Sequence, residues 1–184
     1  MTNLRNIAFA ALAALLPLIS APAQADADPA ACRMAIRAAE ARYDLPRDLL
    51  LAMGMVESRL YPWALNLAGD SRMPGNIAEA ELLLVDAGGE PRTDIMVGCM
   101  QIHTGWHLAA FDNQPQRLLD PATNADYAGH LLRTLYDEEQ SWTRAVGRYN
   151  AGSAGGGAYH RYICLVEEKL REIDSDVTLA CNQS

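Results

Sequence analysis

The chain has 184 residues, 50% of them hydrophobic, with 15 Lys and Arg against 23 Asp and Glu and a formal net charge of −8 at pH 7. That length is enough for one domain with a buried core. An acidic chain without a basic run repels polyanions, which excludes nucleic acid and anionic membrane surfaces as partners and leaves neutral or mixed-charge polymers.

The first 25 residues read as a secretory signal peptide. Arg5 gives a basic start, Ile7 to Ile19 an apolar run, and Ala23 and Ala25 the small residues of a cleavage site after Ala25. Pro17 breaks the run, which is short of the ~20 residues a membrane span needs, and no later stretch could cross a bilayer. Residues 26–184 are expected to form a single monomeric domain in the periplasm or outside the cell.

Ala31 to Tyr43 is Ala-rich and predicts a helix. Pro46 suits the first turn of a second helix running to about Ser58, and Pro62 stops any continuation. Asn76 can cap a helix over "IAEAELLLVDA", which Gly88 and Gly89 end. Residues 90–97 predict a short strand or extended arm, and Met100 to Phe111 a helix. "DPATNADYAGHLLRTLYDEE" starts at Asp120–Pro121 and carries Ala128, Leu131, Leu132 and Leu135 at helical spacing. Ser141 opens a helix through Val146, Ala151 to Gly157 is a flexible break, and Tyr159 to Ile173 is a last amphipathic helix. The class is mainly α, with no repeats and an order of short helices unlike an up-and-down bundle.

Four cysteines, Cys32, Cys99, Cys164 and Cys181, suit an oxidising compartment, and three pairings are open to them. The favoured arrangement closes Cys164 with Cys181 locally and ties Cys32 to Cys99; free buried thiols are the alternative.

Three motifs carry chemistry. In "LLLAMGMVESRLYPW" an apolar run ends on Glu57, which shares a helical face with Met53 and Leu49. Desolvation and the negative end of the helix dipole both raise the pKa of such a carboxyl, as a general acid requires. A surface Glu paired with Arg59 is the plainer alternative. "GCMQIHTGW" offers Gly98 for close backbone approach, Met100 as an apolar contact and Gln101 as an amide. "GRYNAG" puts Tyr149 and Asn150 at a helix end before a glycine break. His103 and His107 stand four apart, but no Glu follows His103, so the zinc-protease motif is missing; ring packing and capping are expected of them, and no metal or cofactor is implied.

Together, "ES" at Glu57–Ser58, "GCMQ" at Gly98–Gln101, "RYNAG" at Arg148–Gly152 and the intervening "LLDPATNADYAGHLL" resemble the lysozyme-like lytic transglycosylases of the soluble-lytic-transglycosylase (SLT) family. The resemblance covers about Cys32 to Gly152. It implies a goose-type, mainly helical lysozyme-like domain, with an irregular or β-containing insertion at about 62–97 and a C-terminal helix and tail at about 158–184. The implied activity is cleavage of the N-acetylmuramic acid–β-1,4–N-acetylglucosamine bond of peptidoglycan, leaving a 1,6-anhydro end. Glu57 would be the catalytic group. Ser58 would orient it or the adjacent backbone, and Gln101, Tyr149 and Asn150 would position the sugar or the acid, with Tyr149 hydrogen-bonding near the acid. Met100 would pack on the saccharide or shield the carboxyl.

The long segment between the first two motifs looks like that of members found beside conjugation, pilus, flagellar and secretion machinery. There Pro62–Trp63 and Asn66 would line the cleft, while Asp70, Glu79 and Asp94 are weak candidates for a helper acid. Cys99 and Arg148 depart from the family pattern. A hydrolytic muramidase or a non-catalytic wall-binding assembly protein are the alternatives.

Overall fold

A computed structural model describes residues 27–152 and 155–181; the proposed leader lies outside the described residues. Helix α1 (Pro29–Arg42) starts where the Asp28 carboxylate accepts from the Ala30 N–H at 2.8 Å. Helix α2 (Leu49–Ser58) is apolar all round, and Leu49 to Gly54 are buried, so it runs through the middle of the core. It starts three residues later than Pro46 suggests, because Asp48 takes a left-handed φ of 77° while its carboxylate pairs with Arg37. It ends on two successive left-handed residues, Arg59 and Leu60.

The insertion is β-containing, as expected. Strands β1 (Leu65–Leu67), β2 (Asp70–Arg72), β3 (Ile95–Val97) and β4 (Ile102–His103) form an antiparallel sheet in the order β2-β1-β3-β4. Ala68 and Gly69, both at positive φ, make the tight turn between β1 and β2. Helix α3 (Ile77–Leu83) is capped as its sequence indicates. The Asn76 side chain accepts from Glu79 N, and the Glu79 carboxylate accepts from Gly75 N and Asn76 Nδ2. It stops short of Gly88, since Val85 bridges to Pro91 instead of continuing the helix.

A continuous helix from Met100 to Phe111 is not formed. Gln101 sits at φ 49°, β4 follows, and only Thr104–His107 (α4) and a 3-10 turn at Leu108–Phe111 are helical. A second 3-10 turn, Pro115–Leu119, leads into α5 (Pro121–Glu139), which Asp120 caps through Thr123 N. Helix α6 (Trp142–Ala151) runs past Val146, so Tyr149 and Asn150 stand on its last turn. Helix α7 (Gly157–Glu172) completes the set.

Helix α1 packs on α5, α5 on α6, α6 on α7, α7 on α2 and α2 back on α1, closing a ring of five helices. The closeness is built on small residues: a Cβ on Gly54 would lie 2.7 Å from Ile36 Cδ1. Both favoured disulfides are present. Cys32–Cys99 ties α1 to the turn before β4, and Cys164–Cys181 fastens the tail to α7. In the chain-entropy account, constraining unfolded loops with separations of 67 and 17 residues is worth about 4 and about 3 kcal/mol. Among the described residues no helix is long and apolar enough to cross a membrane.

Candidate active site

The cleft lies between the end of α2, the sheet, α4, the middle of α5 and the end of α6. Glu57, Met96, Gln101, Ile102, His103, Trp106, His107, Leu131, Tyr149 and Asn150 line it. Among the described residues Glu57 is the only acid on its wall. The carboxyl is half-buried by accessible area, open toward the cleft and ringed by protein on its other sides. That enclosure raises its pKa from the ordinary 4.5 to about 7, against a hydrogen bond from Tyr162 that favours the ionised form. Tyr162, on α7 and 4% exposed, donates its hydroxyl to Glu57 Oε1 at 2.6 Å. Burial and the nearby Glu57 charge push the Tyr162 and Tyr149 hydroxyls well above the usual phenol range, so both stay neutral donors.

Around the acid, the turn Gly98–Gln101 is fixed from several directions. Gly98 has φ 82°, and a Cβ there would meet Asn124 Nδ2 at 2.4 Å, so no other residue fits. The buried Asn124 accepts from Met100 N at 2.8 Å and donates to Val97 O and Leu118 O. Ser58 Oγ donates to Cys99 O at 2.8 Å, and Tyr149 donates to Met100 O at 2.8 Å. Gln101 Nε2 donates to Ala64 O and Gly98 O, both at 3.0 Å. Its two amide hydrogens are thus used on backbone, and Oε1 is the polar atom it offers to a ligand.

Glu57, Gln101, Tyr149 and Asn150 meet in one cleft, as the motifs indicate. Ser58 is buried, and its hydroxyl bonds the Cys99 carbonyl of the turn. Three expectations need correction. Met100 is fully buried beneath Gly54, its Sδ 3.2 Å from where a Cβ would stand, so it supports the turn from inside and has no surface for a saccharide. Trp63 is 7% exposed and packs edge-on against Tyr61, and Pro62 is buried beside it; neither lines the cleft. Asn66 is not in the cleft wall either. Its Oδ1 accepts from Gly69 N in the hairpin turn, although its register opposite Met96 keeps it on the same sheet face as a cleft residue.

Asp70 and Asp94 pair with Arg72 and Arg92 on the surface, and Glu79 caps α3, so none of the three helper candidates reaches Glu57. Arg148 pairs with Glu138 and Glu139 away from the cleft wall. His103 accepts from Gly105 N and stacks on Trp106, while His107 Nδ1 lies 2.9 Å from Tyr127 Oη, so packing and capping occupy both rings. Burial, then the neighbouring His103, hold the His107 pKa below its ordinary value. No group of three His, Cys, Asp or Glu side chains converges as a metal site would among the described residues.

Sequence reading missed Tyr162. The available signal was a tyrosine on the apolar stripe of α7 with Ile163, Val166 and Leu170, where a buried hydroxyl has to find an acceptor.

A transglycosylase SLT domain profile matches residues 34–163, a span that holds Glu57, Gln101, Tyr149 and Tyr162. The chain belongs to the SLT family. It is also similar to Protein virB1 of Agrobacterium fabrum (strain C58 / ATCC 33970), at 30% identity over 138 residues, 70% of this chain and 56% of that protein. The chain therefore spans little more than half the length of that curated relative. No solved structure gives a significant match. The helical ring with its small sheet agrees with the lysozyme-like SLT architecture.

Proposed function

We propose that this SLT domain is a peptidoglycan lytic transglycosylase. It would cleave the N-acetylmuramic acid–β-1,4–N-acetylglucosamine bond and leave a 1,6-anhydro-muramic end. The observation that carries the reading is a single half-buried carboxyl, Glu57, with a pKa near 7 and no second acid on the cleft wall among the described residues. Glycosidases that use or activate a separate nucleophile place two carboxyl groups across the bond. One carboxyl is enough if the substrate supplies its own nucleophile.

In the first step protonated Glu57 gives its proton to the bridging oxygen. The C1–O4 bond breaks with its electron pair leaving on oxygen, and C1 becomes cationic. Glu57, now a carboxylate, takes the proton of the C6 hydroxyl as O6 bonds to C1. The acid is regenerated and no water is consumed. An intramolecular hydroxyl held near C1 replaces an activated water through proximity. A pKa near pH 7 suits a group that must give and take a proton in one turnover. Tyr162 is a positioning residue: its donation to Oε1 fixes the carboxyl and leaves Oε2 to carry the proton.

The substrate is the glycan strand of the cell wall, met in the periplasm or outside the cell after the leader is removed. The remodelling is local, around an envelope-spanning machine such as a secretion or conjugation apparatus. The family resemblance and the similarity to Protein virB1 support that setting.

The test is mass spectrometry of peptidoglycan digested with the mature protein and with a Glu57→Gln variant. Fragments ending in 1,6-anhydro-muramic acid, absent with the variant, are expected. Reducing ends would mean a muramidase, and intact glycan that is still bound would mean a scaffold.

A further inference from the structure

Trp106 is the most conspicuous side chain on the cleft that the reaction leaves without a task. It is 71% exposed, whereas Trp63 is 7% exposed and Trp142 stacks on Tyr136. An indole left this open gains little from folding, yet Trp106 is firmly supported. One face stacks on the His103 ring, with centroids 4.3 Å apart and planes 17° from parallel.

His103 is itself locked, its Nδ1 accepting from Gly105 N at 3.1 Å. Gly105 cannot be replaced without loss: a Cβ there would lie 2.4 Å from Thr93 O and 3.0 Å from His103 Cε1. Thr104 is buried and donates to Ile95 O at 3.1 Å, which anchors the turn to β3. The fold thus holds one face of the indole and leaves the other open.

That platform is continuous with the cleft, since Trp106, His103 and Met96 share its wall with Glu57. The sheet register extends the same face across four strands, from His103 through Met96 and Asn66 to Ser71. Such a face, aromatic and apolar near the acid and amide- and hydroxyl-bearing farther out, fits a chain of amino sugars. The axial C–H faces of such rings are apolar and their edges carry amides and hydroxyls.

The geometry points to Trp106 as a saccharide-stacking residue. Its open face takes an N-acetylhexosamine ring of the glycan on the sheet side of Glu57, and His103 is the brace that keeps it flat. This rests on the cleft being a glycan site, as proposed above, but does not require that Glu57 cut the bond.

The experiment uses the full mature chain and the β-1,4-linked N-acetylglucosamine tetrasaccharide as probe. Binding is expected to shift tryptophan emission to the blue and to shield it from iodide quenching, with both effects absent in Trp106→Ala. By calorimetry, Trp106→Ala should bind the tetrasaccharide about ten-fold more weakly, Trp106→Tyr should keep most of the affinity, and His103→Ala should fall between them. On peptidoglycan, Trp106→Ala should raise KM and leave kcat little changed. Wild-type affinity and KM in Trp106→Ala, or iodide access unchanged in the complex, would overturn the assignment, as would failure of the wild type to bind the sugar. Shielding by the sugar in a protein that cuts no peptidoglycan would uphold Trp106 and overturn the catalytic reading.

Discussion

Replacing Tyr162 with Phe removes one hydroxyl from behind Glu57 and little else, because the ring stays in its buried seat on α7. The lost contact is a 2.6 Å bond to a carboxyl in an enclosed site. Hydrogen bonds to an ionised group contribute about 1.5–3 kcal/mol, and 1.36 kcal/mol corresponds to one pH unit. Tyr162 favours the carboxylate and opposes burial. Its loss should therefore raise the Glu57 pKa from about 7 by about one to two pH units. The first chemical step needs protonated Glu57, so kcat/KM of the wild type should fall as pH rises through about 7. In Tyr162→Phe the fall should move to higher pH, with a lower plateau because the carboxyl has lost an orienting contact. A pH–rate profile on solubilised glycan strands, with carbon-13 NMR titration of the Glu57 carboxyl, measures both quantities. A descending limb that stays put or moves to lower pH would refute the reasoning.

Glu57→Gln should stabilise the fold increasingly with pH. A carboxyl whose folded pKa is raised binds more protons in the folded than in the unfolded state between about 4.5 and about 7, so stability falls as pH rises through that window. The advantage of the Gln variant should therefore grow by about 2 kcal/mol between pH 5 and pH 8, read from urea melts. Asn124→Leu removes three hydrogen bonds at a fully buried side chain, taking the acceptor from Met100 N and a donor from each of two carbonyls. It should lower stability by about 3 kcal/mol or more in the same melts and abolish turnover by releasing the Gln101 turn. Replacing Cys32 and Cys99 together with Ala should lower stability by about 4 kcal/mol, whereas the Cys164/Cys181 double replacement should cost about 3, both read from denaturant midpoints.

The acid was legible in sequence because a carboxylate at the end of a wholly apolar helix has few structural explanations, and Glu57 does sit on the cleft wall. Helix α5 was legible because Asp120–Pro121 caps it and its apolar residues keep one period over 19 residues. The sheet was only partly legible. Its strands are two or three residues long, too short for alternation to register, and the β1–β2 turn is Ala-Gly, which lacks the Asn-Gly or Asp-Gly signature. The stretch after Gln101 failed as a helix because the left-handed backbone at Gln101 is selected by tertiary contacts, and local sequence does not announce it. Met100 was misplaced for the same reason: in that turn its side chain points under Gly54 instead of into the cleft. Tyr162 lies 105 residues from Glu57, and no local pattern links them.

The central claim is that one carboxyl serves as acid and then as base while the substrate supplies the nucleophile. Digestion of peptidoglycan in heavy-oxygen water tests it most directly, with mass spectrometry of the new glycan ends. The account predicts anhydro ends that carry no heavy oxygen. A heavy oxygen at the anomeric position of the new ends would show that water had attacked C1, and would contradict it.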